Sequence, residues 1–480
     1  RYRYNWQLFS GLWLWNILTT FWVENTLFFS GLVANVLNAL LMMIPFVLWN
    51  RIERYIPSKW FRYTAFMAFW ISYEYLHLNW EISWPWLILG HQFAHVPQII
   101  QWYEYSGVLG GSLWILLINF LIFDWWINRH QSSKWRLVFP IVLFSIPLLY
   151  SIIRFSTYES RGVAKEVAVI QPNYNPHYAK DTIPQHQQLE KHLRLTDSIL
   201  TDSTRWLLLP ESAFSRADMS QLIAHPAIRA YDELMSQTEG TATILGVSAI
   251  ERWYSEKPKD VHALREYVYE NGRKFWWKAY NVAVYLDGDS KPEVYKKSKF
   301  VPGAEFTPYP KIFFFIKPLT DALGGSLEGL GVQKERVAFK NDNLSMAPVI
   351  CYESVYGEYS SRYVSQGGAQ ALGIITIDGW WGETAGHLQH LYLGALRAIE
   401  LRRDIARSAV TGISGFIDQR GVVWKRSQYE ETAALREEIY FNDSRTFYSI
   451  WGDMIGRLSV FFMVLSLIYA FRNFLMERND

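Results

Sequence analysis

Residues 345–354 read SMAPVICYES: a short apolar run ends on Cys351, the only cysteine among 480 residues, and the charged Glu353 comes two positions later. Two more places in the chain have this form. WLLLPES (206–212) runs from an apolar stretch into Glu211, and YKKSKFVPGAEF (295–306) sets Lys297 ahead of a Pro-Gly turn. Each of the three residues stands where a strand is expected to yield to a loop, which is where α/β sheets present active-site groups. Taken singly they have plainer readings. An unpaired cysteine after a buried strand is ordinarily inert core, Glu211 fits a surface carboxylate, and Lys297, beside Lys296 and Lys299, fits a solvated strand face.

Outward from these three, short β-branched or apolar runs recur at Val167–Gln171, Trp206–Pro210, Ala242–Ile250, Val282–Leu286, Ala347–Tyr352, Ala371–Ile377 and Ile413–Asp418. Helix-like stretches, Gln185–Leu200 and His387–Arg403, lie between some of them. Alternation of this kind predicts one layered α/β domain over residues 154–453. The single cysteine excludes an intrachain disulfide framework. A net charge of +2 without a basic block argues against a nucleic-acid partner.

The flanks are different. Uncharged stretches of membrane-crossing length are expected at Trp6–Val23, Leu27–Trp49, Tyr63–Trp80, Val108–Trp126 and Leu137–Ile153, within a transmembrane region 1–153, and at Met454–Phe471, within 454–480. The chain opens Arg1-Tyr2-Arg3 without an initiator Met, so further spans are expected ahead of it. Lys and Arg cluster at Arg1 and Arg3, at Arg51–Arg62 and at Arg129–Arg136, whereas residues 63–128 have none. By the positive-inside rule these basic loops share the cytoplasmic side, five crossings put 154–453 outside the cytoplasm, and the sixth returns the tail. Glu74 is an ionisable group in a span, near its outer end, and reads either as functional or as reaching water. Glu81–Gly107 is too irregular for one helix; His91 and His95 have ligand-like spacing, but no acidic third ligand accompanies them, and neither metal nor cofactor is expected.

The ordered motifs, together with DGWWGETAGHLQHLYLGALRAIELRRDIARSAVTGISGFID (378–418), resemble the carbon-nitrogen hydrolase (nitrilase) superfamily and, within it, the apolipoprotein N-acyltransferase branch, over roughly residues 165–425. The resemblance implies a polytopic helical membrane bundle joined to an αββα sandwich, with Glu211 as general base, Lys297 as catalytic lysine and Cys351 as nucleophile. Lys297 is preferred to its neighbours because the family's lysine precedes a second glutamate, here Glu305, by eight residues. Glu305, Tyr352, Glu353, Trp380 and Trp381 become supporting or substrate-binding residues. Three positions depart from the pattern: Ile377-Asp378 replaces an Asn-Asp pair, VPGAE (301–305) replaces VPFGE, and AVTGIS (409–414) replaces TNTGIS.

The implied reaction moves an acyl chain from a phosphatidylethanolamine-like phospholipid, through a Cys351 thioester, to the amine of a diacylglyceryl-cysteine apolipoprotein. The implied protein is a monomer in the bacterial inner membrane with its catalytic domain on the periplasmic side. Residues 172–180 and 380–386 are expected as lids over a lipid entrance. The rivals are a membrane-anchored amidase using the same three residues, and a non-catalytic scaffold.

Overall fold

The computed structural model describes residues 2–130, 134–175, 182–314 and 329–479. They fall into two compact units, one of Arg1–Tyr158 with Thr446–Asp480, the other of Glu159–Arg445.

The first unit is helical: α1 (Tyr2–Thr20), α2 (Phe28–Ile52), α3 (Lys59–Asn79), α4 (Tyr103–Ile127), α5 (Val138–Thr157) and a last long helix, Met454–Asn479. Four helical stretches among the described residues are long and apolar enough to cross a membrane: Phe28–Tyr55, Tyr103–Ile127, Trp135–Thr157 and Met454–Arg478. The first and third expected spans form helices α1 and α3 but are more polar. Much of that polarity is paired inside the bundle. Asn38 Nδ2 donates to Asn16 Oδ1 (2.7 Å), His77 Nε2 lies 2.9 Å from Asn38 Oδ1, and Trp80 Nε1 donates to His77 Nδ1 (3.0 Å). Pairing removes most of the cost of putting amides and imidazole in apolar surroundings.

Glu74 does not reach water. It is buried and accepts hydrogen bonds from Trp70 Nε1 and the Leu89 backbone N–H, both at 2.9 Å, which pins the segment after α3. That segment is built from short 3-10 turns, Pro85–Leu87, Leu89–Phe93 and Pro97–Ile99. His91 is buried with Nδ1 2.8 Å from Pro85 O, while His95 is exposed, so the two share no helical face. Gly107 breaks α4 with φ of 60°, and a Cβ there would meet the Tyr448 ring at 2.2 Å.

The second unit contains β1 (Val163–Gln171), β2 (Thr204–Leu208), β3 (Phe214–Asp218), β4 (Ala242–Trp253), β5 (Arg265–Val268), β6 (Lys274–Leu286), β7 (Glu293–Lys296), β8 (Phe339–Asn341), β9 (Leu344–Ile350), β10 (Ala371–Thr376), β11 (Ile405–Ala409), β12 (Gly415–Ile417), β13 (Val423–Arg426) and β14 (Ala433–Phe441). One sheet runs β14-β1-β2-β4-β6-β5, with β3 beside β4 and β7 beside β6; the other runs β13-β12-β11-β10-β9-β8. Each has three adjacent parallel strands, β1-β2-β4 and β9-β10-β11. The sheets face each other through β1, β2 and β11. Helices α6 (Gln185–Asp197) and α7 (Pro226–Ser236) cover the first, and α8 (Gly357–Ser365) and α9 (Ala385–Leu401) cover the second. This is an αββα sandwich. The strands absent from the sequence reading are short or polar: β13 is VWKR and β14 is AALREEIYF, whose neighbours in the sheet, not their apolarity, make them strands.

Asp404, between α9 and β11, accepts the Tyr440 backbone N–H at 2.7 Å and is almost fully buried. Burial pushes its carboxyl up to about 7. The folded chain therefore binds this proton more tightly than the unfolded one, whose aspartate titrates near ~3.9. The stabilisation is complete below that value and is lost as pH rises through about 7. Urea unfolding across this range is expected to show wild type losing stability relative to Asp404→Asn as pH rises, with no further divergence above about pH 8.

Candidate active site

Cys351 follows β9 and opens a 3-10 turn, Cys351–Val355, with φ of 50°. The strand expected to run through Tyr352 therefore stops at Ile350. A side chain in the left-handed region costs about 1–2 kcal/mol, and such strain concentrates at functional turns. Several bonds hold it. Ser354 Oγ donates to the Cys351 carbonyl (2.7 Å), and His390 Nε2 lies 3.2 Å from the same oxygen.

Glu353 is the strongest tie. Its Oε2 accepts the Ile350 N–H and the Tyr363 hydroxyl (both 2.9 Å); its Oε1 accepts the Ser298 N–H (2.7 Å) and the hydroxyls of Tyr295 (2.9 Å) and Tyr359 (2.6 Å). One fully buried carboxyl thus binds the residue before Cys351 to the residue after Lys297. Glu353 supports the site from behind and has no bond to the Glu211–Lys297 pair.

Glu211 lies just beyond β2 and Lys297 just beyond β7. The Lys297 ammonium donates to Glu211 Oε1 and to Glu305 Oε1, both at 2.8 Å, and all three groups are largely buried. Asn281 Nδ2 also donates to Glu211 Oε1, at 2.7 Å, and the Val301 N–H fixes Glu305 Oε2 at 2.7 Å. Burial opposes charge on Lys297, but the carboxylates of Glu211 and Glu305 outweigh it and hold the ammonium well above its ordinary range. Burial pushes the Cys351 thiol up, Glu211 adds to this, and Lys297 opposes it. At rest the pocket therefore contains a neutral thiol, a carboxylate and a fixed ammonium. Such a set can deprotonate sulfur during attack and stabilise an oxyanion.

A second network lies beneath the turn. Asp378 Oδ1 is 2.9 Å from His390 Nδ1 and accepts Thr376 Oγ1 (3.0 Å), while its Oδ2 accepts Arg407 Nη2 (2.7 Å). Burial works against ionising Asp378, yet the Arg407 guanidinium and His390 hold its carboxyl well below the usual range. The Trp381 ring stands edge-on to His390 (5.5 Å), while Trp380 packs on Tyr174, Ile377 and Val410. The Tyr352 ring is buried against Tyr356 at 5.2 Å. Of the two expected lids, 172–180 lies outside the described residues from 176 onward, and 380–386 contributes Trp381 to this network. Asn281, Thr376, His390 and Arg407 were not singled out by sequence. Asn281 had one signal, a polar residue inside the apolar run of β6. Among the described residues no group of three His, Cys, Asp or Glu side chains is arranged to hold a metal.

Residues 166–447 match the carbon-nitrogen hydrolase family. The chain belongs to the carbon-nitrogen hydrolase family. Residues 3–121 match a second model, the apolipoprotein N-acyltransferase N-terminal domain, and with its apolar helices the chain is a membrane-bound hydrolase-family protein. It is similar to the apolipoprotein N-acyltransferase of Chlorobaculum tepidum, 26% identical over 474 residues covering 96% of this chain and 86% of that one. It is also similar to that of Thermotoga maritima, 25% identical over 92% of this chain and 77% of the relative. Among solved structures, Nit3 of Saccharomyces cerevisiae, of the nitrilase superfamily, aligns with a TM-score of 0.41 at 14% identity, covering 61% of this chain and 95% of that one.

The positive φ at Cys351 separates backbone strain from thiol chemistry. Cys351→Gly and Cys351→Ala both remove the thiol, but only glycine relieves the turn. Chemical denaturation is expected to find Cys351→Gly more stable than Cys351→Ala by about 1 kcal/mol, with both inactive.

Proposed function

We propose that this chain transfers an acyl chain from a membrane phospholipid to the N-terminal amine of a diacylglyceryl-cysteine apolipoprotein, with Cys351 carrying the acyl group as a thioester. The observation that carries the reading is the buried Lys297 ammonium, held 2.8 Å from both Glu211 and Glu305, whose charge acts on the thiol of Cys351 at the head of a strained turn. The acyltransferases named above, similar over nearly the whole chain, support the substrate class.

In the first half-reaction sulfur attacks the donor's ester carbonyl as Glu211 takes the thiol proton. Both neutral and cationic donors to Glu211 fall on Oε1, so Oε2 is the oxygen assigned to that proton. Negative charge on the carbonyl oxygen is met by the Lys297 ammonium and the Tyr352 backbone N–H. Collapse breaks the ester C–O bond, and the lysophospholipid alkoxide leaves with the proton held by Glu211. In the second half-reaction the acceptor amine attacks the thioester and gives its proton to Glu211. The C–S bond breaks, and the thiolate recovers that proton as the amide forms. Glu305 keeps Lys297 in place, and Glu353 keeps the two loops in register.

The catalytic unit then stands on the periplasmic face of the bacterial inner membrane, an orientation supported by the basic loops before α3 and α5. A lipid donor suits a membrane-tethered enzyme, because each CH2 drawn from the bilayer into water costs roughly 0.8 kcal/mol.

Incubation of the protein in nanodiscs with radiolabelled phosphatidylethanolamine is expected to give a hydroxylamine-sensitive acyl adduct, absent in Cys351→Ala. Persistence of the adduct in that variant would overturn the reading. Glu211→Gln should slow adduct formation about 10²–10⁴-fold and Lys297→Ala about 10²–10³-fold.

A further inference from the structure

Behind the nucleophile turn, three fully buried side chains stand in the bonding order of a Ser–His–Asp triad. Asp378 Oδ1 lies 2.9 Å from His390 Nδ1, and His390 Nε2 lies 3.2 Å from Ser354 Oγ. They do not form a second nucleophile, because the Ser354 hydroxyl donates its one proton to the Cys351 carbonyl at 2.7 Å. Towards His390 this hydroxyl can only accept. A second neighbour of Nε2 is the Cys351 carbonyl oxygen itself, at 3.2 Å. Nε2 thus faces two acceptors and carries the proton of the contact.

Two donors, Ser354 Oγ and His390 Nε2, therefore fall on one carbonyl oxygen, which has two lone pairs to receive them. A peptide is planar and trans, so its C=O and N–H point in opposite directions. Fixing the oxygen of Cys351 fixes the direction of the Tyr352 N–H. Hydrogen bonds accepted by the carbonyl also polarise the amide and strengthen its N–H as a donor, by about 10–30% per bond. The imidazole is itself held on its far side. Nδ1 meets Asp378 Oδ1 and, at 3.2 Å, Arg407 Nη2, and the Trp381 ring stands edge-on at 5.5 Å. Asp378 follows β10, Arg407 belongs to β11 and His390 to α9, so the second sheet and its covering helix both bear on a single peptide.

We propose that His390 is a positioning residue for acyl transfer: through the Cys351 carbonyl it aims and polarises the Cys351–Tyr352 peptide, so that the Tyr352 N–H meets the oxyanion formed on the acyl carbonyl. The role rests on the acyl-transfer reading, in which that N–H shares the oxyanion with Lys297. It divides the labour between the two sheets. The Lys297 ammonium, held by Glu211 and Glu305, supplies charge, and the network on the opposite sheet supplies direction. Stabilisation of a developing charge depends on dipoles oriented before the charge appears. The left-handed φ at Cys351 puts this peptide in a sparsely populated conformation, and the two bonds on its oxygen resist its rotation during attack.

Substitution separates the two ring nitrogens. His390→Gln places an amide N–H near Nε2 and retains the bond to Cys351, whereas His390→Asn places one near Nδ1 and retains only the partner at Asp378. Each full-length variant, in nanodiscs with radiolabelled phosphatidylethanolamine, is followed for its rate of adduct formation across donor concentrations. Alkylation of the sole cysteine by iodoacetamide, a displacement that builds no oxyanion, is followed separately. His390→Asn is expected to lower the saturating acylation rate about 10–100-fold without changing the half-saturating donor concentration, and His390→Gln to stay within about fivefold of the unsubstituted protein. Alkylation should stay within about twofold in both. Full acylation by His390→Asn would overturn the proposal, and so would an equal loss in both variants, since the carbonyl bond would then not decide the rate. Alkylation that fell in step with acylation would overturn it too, because the turn itself would have been lost. If the unsubstituted protein forms no adduct, the acyl-transfer reading falls and this role with it; adduct formation there with indifferent variants removes the role alone.

Discussion

A lysine ammonium is buried between two carboxylates, and the catalytic unit is arranged around that fact. Lys297 sits 2.8 Å from Glu211 and from Glu305, and removing the ammonium would leave two buried carboxylates uncompensated, a loss of roughly 3–5 kcal/mol. The three groups come from the loop after β2, the end of β7 and the loop beyond it. The ion cluster therefore ties the loop after β2 to the chain beyond β7. It also fixes the charge state that the chemistry requires: a permanent cation beside a thiol that burial keeps neutral.

The cluster belongs to one sheet and the thiol to the other, so something must keep them in register. Glu353 does this from the interior, with backbone donors at Ile350 and Ser298 and three tyrosine hydroxyls on one carboxyl. Asp378, His390 and Arg407 brace the same turn from the side of β10 and β11. The two networks act on backbone, at Ile350 and at the Cys351 carbonyl, which is how a residue with a left-handed φ persists against its intrinsic preference. In the helical unit the same principle appears at Glu74 and in the Asn16–Asn38–His77–Trp80 chain: polar side chains are retained where their partners are supplied inside.

Much of this was legible in the order of residues. Apolar runs ending on Glu211, ahead of Lys297 and on Cys351 marked the three positions where chemistry is presented, because a buried strand that stops must expose the residue at its end. Uncharged stretches set the helices of the other unit, because a segment of that length without charge has no better solvent. The eight-residue spacing from Lys297 to Glu305 chose one lysine among three.

The rest came from packing, since it depended on residues distant in the chain. Asn281 is 70 residues from its partner Glu211, and His390 is 39 from the carbonyl it braces; no local pattern encodes either pairing. Polar strands such as β13 and β14 exist because neighbours supply their hydrogen bonds. The polarity that sets α1 and α3 apart is unfavourable in an isolated span and becomes acceptable only because Asn16, Asn38 and His77 satisfy one another. Whether Cys351 was an inert thiol or the head of a strained turn rested on a single backbone angle, which only the packing around Glu353 could impose.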